Sequence, residues 1–328
     1  MRVISHTSTD PYFNLATEEW LIDNSPDDVF MLWRNDRSVI VGKNQNTWGE
    51  VDAAYAREAD IAVVRRLTGG GAVFHDPRNV NYTFITAGDT IDFARFAAPL
   101  IRALASLGVA ASAGGRNDLL AGGGAKIGGC AACVRRTPLG MRRLHHGTLL
   151  FDADLSEMAR VLTPDAAKLA SKGVGSVRAR VANIRALSPS LADTDAERFT
   201  ASLAEFFARE CGSPITDLAA AEREAIAALA DEKYRTWEWN WGASPAFTVT
   251  RKRRFAYGTV EVGLTASRGA IESVSITGDF FSTDDVAALC ARLAGARLEA
   301  SALAPLLSDA DRFIGGASPE DLIPLICG

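Results

Sequence analysis

From Val29 to Thr86 the sequence strings together runs rich in β-branched and aromatic residues: VFMLWRNDRSVIVG (29–42), IAVVRRL (61–67), GAVFHD (71–76) and NYTFIT (81–86). Such runs favour extended backbone, and the polar pair Asn35-Asp36 reads as a turn inside the first of them. Helical patterns fall elsewhere. Asp10-Pro11 reads as an N-cap followed by proline at the first helical position, opening a helix through about Asn24. Phe93 to Leu107 has helical spacing of apolar residues and stops at Gly108, and 194–235 is alanine-rich and amphipathic. Further β-like stretches surround GRNDLLAGGGAKIGG (115–129) and LHHGTLLF (144–151). Strands therefore do not alternate regularly with helices, which argues against a doubly wound parallel sheet and for an α+β (mixed α/β) architecture.

Glycine, serine and proline interrupt the pattern in WNWGASPAF (239–247). Beyond it, FTVTRKRRFAYGTVEVGL and IESVSIT predict a small antiparallel sheet, followed by two or three short helices. We expect a large domain over 1–244 and a small α+β domain over 245–328. The net charge of −5 argues against general nucleic-acid binding, while leaving room for a local basic pocket. The N-terminal stretch has no signal-peptide pattern, and no apolar run is long enough to span a bilayer. Five unevenly spread cysteines do not make a secreted disulfide framework, so a reduced cytoplasmic protein is expected.

The segment that asks for chemistry is RRLTGGGAVFHD (65–76). Its triplet Gly69-Gly70-Gly71 lies between two β-like runs, so a hairpin or bulge with positive φ is the plain reading. It fits neither the dinucleotide fingerprint nor the P-loop, because no helix opens after it in the required register. Bare backbone N–H groups can also cradle an anion, and an arginine fork suits carboxylate or phosphate. Of Arg65 and Arg66, strand alternation sends only one toward a given face. His75 and Asp76 follow.

A second glycine-rich segment, GRNDLLAGGGAKIGGCAACVRR (115–136), carries Asn117, Asp118 and Lys126. Lysine among glycines is a solvated turn residue or a compact charge presented to a ligand. Asp118 beside it allows a cation-assisted phosphate site. His145-His146 precede the next apolar run, but too few ligands converge for structural zinc. Cys130 and Cys133 have C-x-x-C spacing without a second ligand pair, which favours two small buried residues over a redox or nucleophilic pair.

PYFNLATEEWLI, MLWRNDRSVIVGKNQNTWGEVD, RRLTGGGAVFHD, GRNDLLAGGGAKIGG, LHHGTLLFDADL and KLASKGVGSVRARVANI, in this order, make the chain resemble the lipoate–protein ligases of the A type over nearly its whole length. The resemblance implies the fold shared with biotin ligases and octanoyltransferases, with a small C-terminal accessory domain. It implies ATP and Mg²⁺, lipoate as substrate, lipoyl-AMP as intermediate, and release of pyrophosphate. The implied acceptors are apo lipoyl domains of 2-oxoacid dehydrogenase E2 subunits and the glycine cleavage H protein, without nucleic acid or membrane. Carried over by residue, Arg66, Thr68, Gly69, Gly70, Gly71, His75 and His146 would bind lipoate or lipoyl-AMP. Val73, Phe74, Asn117, Asp118, Ser176 and Arg180 would bind nucleotide, the last two in a closing loop over Lys168 to Asn183. Lys126 would be catalytic, bridging carboxyl and phosphate oxygens, and Asp118 would face Mg²⁺. Some members carry arginine where this chain has Cys133, a departure that bears on the strength of adenylate binding, and Arg135 or Arg136 could supply that charge from a shifted position. Two other readings are an octanoyl or lipoyl transferase working through a Cys130 or Cys133 thioester, and a non-catalytic lipoyl-adenylate-binding protein.

Overall fold

The computed structural model describes residues 1–115, 117–162 and 181–328. Two compact units emerge: Met1–Lys43 with Ile61–Thr236, and Asn44–Asp60 with Trp237–Gly328. The break after Thr236 precedes the expected 244/245 boundary, and the segment Asn44–Asp60 groups with the second unit.

The first unit is built on a mixed eight-stranded sheet in the order β11-β1-β2-β6-β10-β9-β8-β7. Its strands are β1 (Arg2–Ser5), β2 (Val29–Trp33), β6 (Val80–Ala87), β7 (Ala111–Gly114), β8 (Asp118–Ala121), β9 (Lys126–Thr137), β10 (Gly140–Leu149) and β11 (Ile215–Thr216). β1 pairs in parallel with β2 and β11, and the remaining pairs are antiparallel. Helices Phe93–Ser106 and Ala196–Cys211 bury their apolar stripes against the sheet, where Phe30, Phe84, Phe96 and Phe207 form one aromatic cluster. Offset and tilted rings of this kind add to the stabilisation from area burial alone.

Helix α1 (Pro11–Asn24) starts as the sequence predicts: the Asp10 carboxylate accepts from the Tyr12 and Phe13 N–H groups, and Pro11 takes a position that needs no donor. Asn14, Leu15, Ala16, Thr17, Glu18 and Glu19 are all buried. A helix buried around its whole middle has no solvent face for its polar groups, so each must find a protein partner or a ligand.

A second, three-stranded sheet in this unit has the order β4-β3-β5, formed by β3 (Ser38–Val41), β4 (Ala62–Arg65) and β5 (Val73–His75). β3 pairs in parallel with β4 and antiparallel with β5. The hairpin reading of the glycine triplet is thereby corrected. β4 and β5 lie on opposite sides of β3, and the triplet carries the chain across that strand's end. The Lys43 N–H donates to Thr68 O and the Arg66 N–H to Val41 O, pinning the crossing. A Cβ at Gly42 would stand 1.9 Å from Gly70 O, so the crossing requires glycine at the end of β3.

The second unit is a three-stranded antiparallel meander, β12 (Phe247–Phe255), β13 (Gly258–Ser267) and β14 (Ala270–Gly278). Its inward residues Val260, Val262 and Leu264 pack in one core with Leu289 and Leu293 of helix Val286–Leu293. Trp48 stacks on Phe247 (5.5 Å between centroids) and lies against Trp241 (5.3 Å), while the Thr47 hydroxyl donates to Asn240 O. These contacts explain why Asn44–Asp60 belongs here.

Candidate active site

A cavity of about 210 Å³ opens in the first unit, walled by the glycine crossing, β5, β6, β9 and β10. Strand alternation decides who faces it. On β5, Val73 and His75 line the cavity, while Phe74 between them is buried on the other side. Asp76 also turns away, its carboxylate accepting from the Arg78 and Asp154 N–H groups at 2.9 and 2.7 Å. On β10, His146 lines the cavity and His145 stacks on Phe96 (4.8 Å), away from it. On β9, Lys126, Gly129 and Ala131 line the cavity, Ala131 in register with His146, while Cys130 touches the wall between them with its side chain packed against the apolar core.

Of the paired arginines, Arg66 reaches the cavity. Arg65 is fully buried and donates to Gly42 O and Lys43 O; burial lowers its pKa to about 10. Arg66 clamps the loop from within: Nε donates to Thr68 Oγ1 (3.0 Å), Nη1 to Ile40 O (2.9 Å), and Nη2 to Gly69 O (2.7 Å) and Gly71 O (2.8 Å). Gly70 sits at φ +97° between the two carbonyls that Arg66 holds. In this structure the arginine shapes the crossing first.

A directed chain of hydrogen bonds continues from Thr68. Thr68 Oγ1 and His146 Nε2 are 2.7 Å apart, and His146 Nδ1 lies 2.8 Å from Glu18 Oε1. Glu18 also accepts from the Thr83 hydroxyl (2.5 Å), which in turn accepts from Trp33 Nε1 (2.9 Å). The Glu18 carboxylate only accepts, so the His146 Nδ1–H donates to it, and the Thr68 hydroxyl, which accepts from Arg66, is the partner of Nε2. The neighbouring Glu19 holds Lys233 Nζ, Tyr234 Oη and Arg135 Nη1. Burial alone would raise its pKa, but these donors hold it below the usual carboxylate value. Sequence reasoning gave Glu18 and Glu19 no role. The available signal was two adjacent carboxylates in the middle of a helix among Leu15, Ala16, Leu21 and Ile22.

Lys126 Nζ pairs with Asp118 Oδ1 at 2.6 Å, and both side chains are more than a third exposed (36% and 37%). Asn117 lines the cavity; its Nδ2 donates to Cys130 O and its carbonyl accepts the Cys130 N–H. Lys126 O accepts from the Ala182 N–H. Ser176 and Arg180, with most of the expected closing loop, lie outside the described residues. Among the described residues no group of three or more His, Cys, Asp or Glu side chains converges as a metal site. Asp118, paired with the cavity-lining Lys126, offers one exposed carboxylate at the rim, a donor that fits an ion shared with phosphates better than one caged by protein.

The thioester reading finds no activated thiol. Burial pushes both Cys130 and Cys133 up to about 11, and Cys133 has Glu18 nearby as a further cause. Arg135 is engaged by Glu19 and Asp23, and neither Arg135 nor Arg136 lines the cavity. The charge expected from a shifted arginine therefore does not come from these side chains in this geometry.

The family model for the lipoyl protein ligase A/B catalytic domain matches residues 10–208, and that for the bacterial lipoate protein ligase C-terminus matches 244–326. The chain belongs to the lipoate–protein ligase family. It is 39% identical to lipoate–protein ligase 1 of Staphylococcus aureus, over 99% of this chain and 100% of that protein. It is 37% identical to lipoate–protein ligase LplJ of Bacillus subtilis, over 97% of both. Among solved structures, the bi-partite lipoate protein ligase of Thermoplasma acidophilum, studied with its E2 lipoyl domain, gives a TM-score of 0.63 at 28% identity, covering 76% of this chain and 98% of that one. Lipoate–protein ligase A bound with ATP gives 0.62 at 27%, and a T. acidophilum protein with bound lipoic acid gives 0.60 at 26%; both cover 74% of this chain and 98% of the other.

Proposed function

We propose that this ligase activates lipoate with ATP to lipoyl-AMP, releasing pyrophosphate, and transfers the lipoyl group to a lysine of an apo lipoyl domain. The acceptors would be the E2 subunits of 2-oxoacid dehydrogenases and the glycine cleavage H protein. Five cysteines without disulfides fit a reducing, cytoplasmic setting. Among the described residues no helix is long and apolar enough to cross a membrane.

The observation that supports the reading is that Lys126 and the glycine crossing line one cavity. A carboxylate attacking an α-phosphate brings two anions together, so donors and cations fixed at the developing charge dominate such a step. Lys126 would supply the cation, and the crossing held by Arg66 would supply backbone donors. Asp118 would hold Mg²⁺ together with ATP phosphates, and the ion would add charge neutralisation there. Val73 and Asn117 would face the nucleotide, with Phe74 acting through the strand's shape. Gly69, Gly70, Gly71, Thr68, His75 and His146 would form the acyl side. The acceptor amine then attacks the mixed anhydride directly, without an enzyme thioester.

Intact-mass measurement of an apo lipoyl domain incubated with the protein, lipoate, ATP and Mg²⁺ tests this. One lipoyl addition is expected. Modification only from an octanoyl carrier protein, with none from lipoate and ATP, would sink the ligase reading in favour of the transferase.

A further inference from the structure

Beside the chain that runs through His146, a second set of buried amides ends at His75, and it determines where that ring carries its proton. Asn14 and Asn35 are both fully buried. Asn14 Nδ2 lies 3.1 Å from Ser8 O and 2.8 Å from Arg34 O. Carbonyls only accept, so this end of the amide is the NH₂ group. The same NH₂ group lies 2.9 Å from Asn35 Oδ1, the end of that amide that can accept from it and share its two hydrogens with the carbonyls. That leaves the Asn35 NH₂ group facing His75 Nδ1 at 3.1 Å. An amide N–H cannot accept, so Nδ1 must, and the ring proton sits on Nε2. His75 is 3% exposed and lines the cavity, and among the described residues its Nε2 has no hydrogen-bond partner. Asn81 Nδ2, also on the cavity wall and buried, has no partner among the described residues either. Trp33 meets the imidazole edge-on, with centroids 6.1 Å apart, and fixes its tilt.

We propose that Asn14 and Asn35 are positioning residues that hold His75 with its Nε2–H aimed into the cavity, as a donor to an anionic oxygen of the substrate. A buried donor without a partner is costly, and an incoming carboxylate or phosphate oxygen removes that cost. The charged and titratable groups facing the ring are Arg66 and His146, with Lys126 on the same cavity. Burial, with Arg66 next, lowers the His75 pKa to about 3, so the ring donates as neutral imidazole and adds no charge to a site that already holds cations. The inference rests on the ligase reading for the identity of the substrate, though not for the tautomer.

The test begins with the full-length wild-type chain, ¹⁵N-labelled at its four histidines, with His75 assigned by the signal missing in His75→Gln. Nitrogen chemical shifts distinguish the two tautomers, and Nε2–H is expected. In Asn35→Asp the carboxylate accepts, which moves the proton to Nδ1 and turns Nε2 into an acceptor. At neutral pH that variant should lose roughly 10- to 100-fold in kcat/KM for lipoyl transfer, the worth of a hydrogen bond to a charged group. Activity should recover in part at lower pH, where the imidazolium donates from both nitrogens. His75→Gln places an amide NH₂ near Nε2 and should retain more activity than His75→Ala. Separate titrations with lipoate alone and with a non-hydrolysable ATP analogue assign the oxygen: weaker lipoate binding in Asn35→Asp marks the carboxylate, weaker analogue binding the phosphate. Finding Nδ1–H in the wild type overturns the relay even if no variant folds. So does a flipped tautomer in Asn35→Asp with binding and turnover unchanged. A wild-type chain with Nε2–H and a perturbed His75 signal on titration, yet no lipoyl transfer, supports the relay and counts against the ligase reading.

Discussion

The two glycine-rich segments use the same residue for different physical ends. Around Gly69–Gly71 the backbone crosses another strand at a distance no side chain permits, and a buried arginine grips it through its carbonyls. Around Gly122–Gly124 glycine supplies positive φ at Gly123 and Gly124 in a turn where a Cβ would meet nothing within 4 Å. Lys126, just after that turn, is held by one half-exposed carboxylate. The first segment is a preorganised wall whose charge is committed to shape. The second presents its charge on an open rim, where a ligand can take it over.

The sharpest way to break the comparison is to remove each cation. Lys126→Ala should lower lipoyl transfer by roughly 100- to 1,000-fold, as for loss of one donor at a developing charge. Its urea midpoint should stay near wild type, because an exposed ion pair contributes little to stability. Arg66→Met should do the reverse in kind, destabilising by about 3 kcal/mol by leaving buried carbonyls unpaired, and losing activity as a consequence. A stable, inactive Arg66→Met protein would mean that Arg66 acts on substrate rather than on the loop. Gly42→Ala should cost a similar amount, about 3 kcal/mol, because its Cβ meets backbone at 1.9 Å and not a flexible side chain.

Acid sharpens the contrast. His75, at the end of the first segment, has its pKa lowered from 6.5 to about 3. The unfolded chain takes up its proton below 6.5 while the folded one does not. The stability this histidine contributes is thus complete above pH 6.5 and lost progressively as pH falls toward 3. At pH 5 the loss is about 2 kcal/mol, and His75→Gln should remove that share from the pH dependence of the urea midpoint. Gly123→Ala, strained in φ but free of clashes, should cost only about 1 kcal/mol. If Gly123→Ala proves as damaging as Gly42→Ala, the second segment is a packed wall too.

Much of this was readable in the sequence, and the exceptions share a cause. The Asp10-Pro11 helix start, the stop at Gly108 and the strands from Val29 to Ala87 follow from local rules of capping, propensity and period, and the structure has them. The glycine triplet and Lys126 were singled out because bare backbone beside a cation is itself a local pattern, and their proposed roles came from the family resemblance. The topology of the crossing was not, since local sequence cannot say that β3 inserts between β4 and β5. Glu18, Asn14 and Asn35 were missed for the same reason. Their significance lies in being buried and directed at His146 and His75, and burial of polar groups is a tertiary fact.

The smallest expected effect decides between chemistries. Cys130 lies on the cavity and is within hydrogen-bond reach of Asn117 O at 3.3 Å; Cys133, three residues along the same strand, is absent from that wall. Alternation along β9 allows only one of them to face substrate, so a C-x-x-C pair cannot act together there. With both thiols pushed up to about 11, thiolate is scarce at neutral pH, and burial outweighs the opposing effects of Tyr82 and Lys126 on Cys130 and of Lys43 and Arg135 on Cys133. Cys130→Ala and Cys133→Ala should each retain most lipoyl transfer and lose about 1 kcal/mol or less in stability, the scale of a small buried group. The measurement is transfer rate beside urea midpoint for each variant. A folded Cys130→Ala protein without activity would replace the adenylate on the Lys126 rim with a thioester on β9, and the division between wall and rim would have to be redrawn around the sulfur.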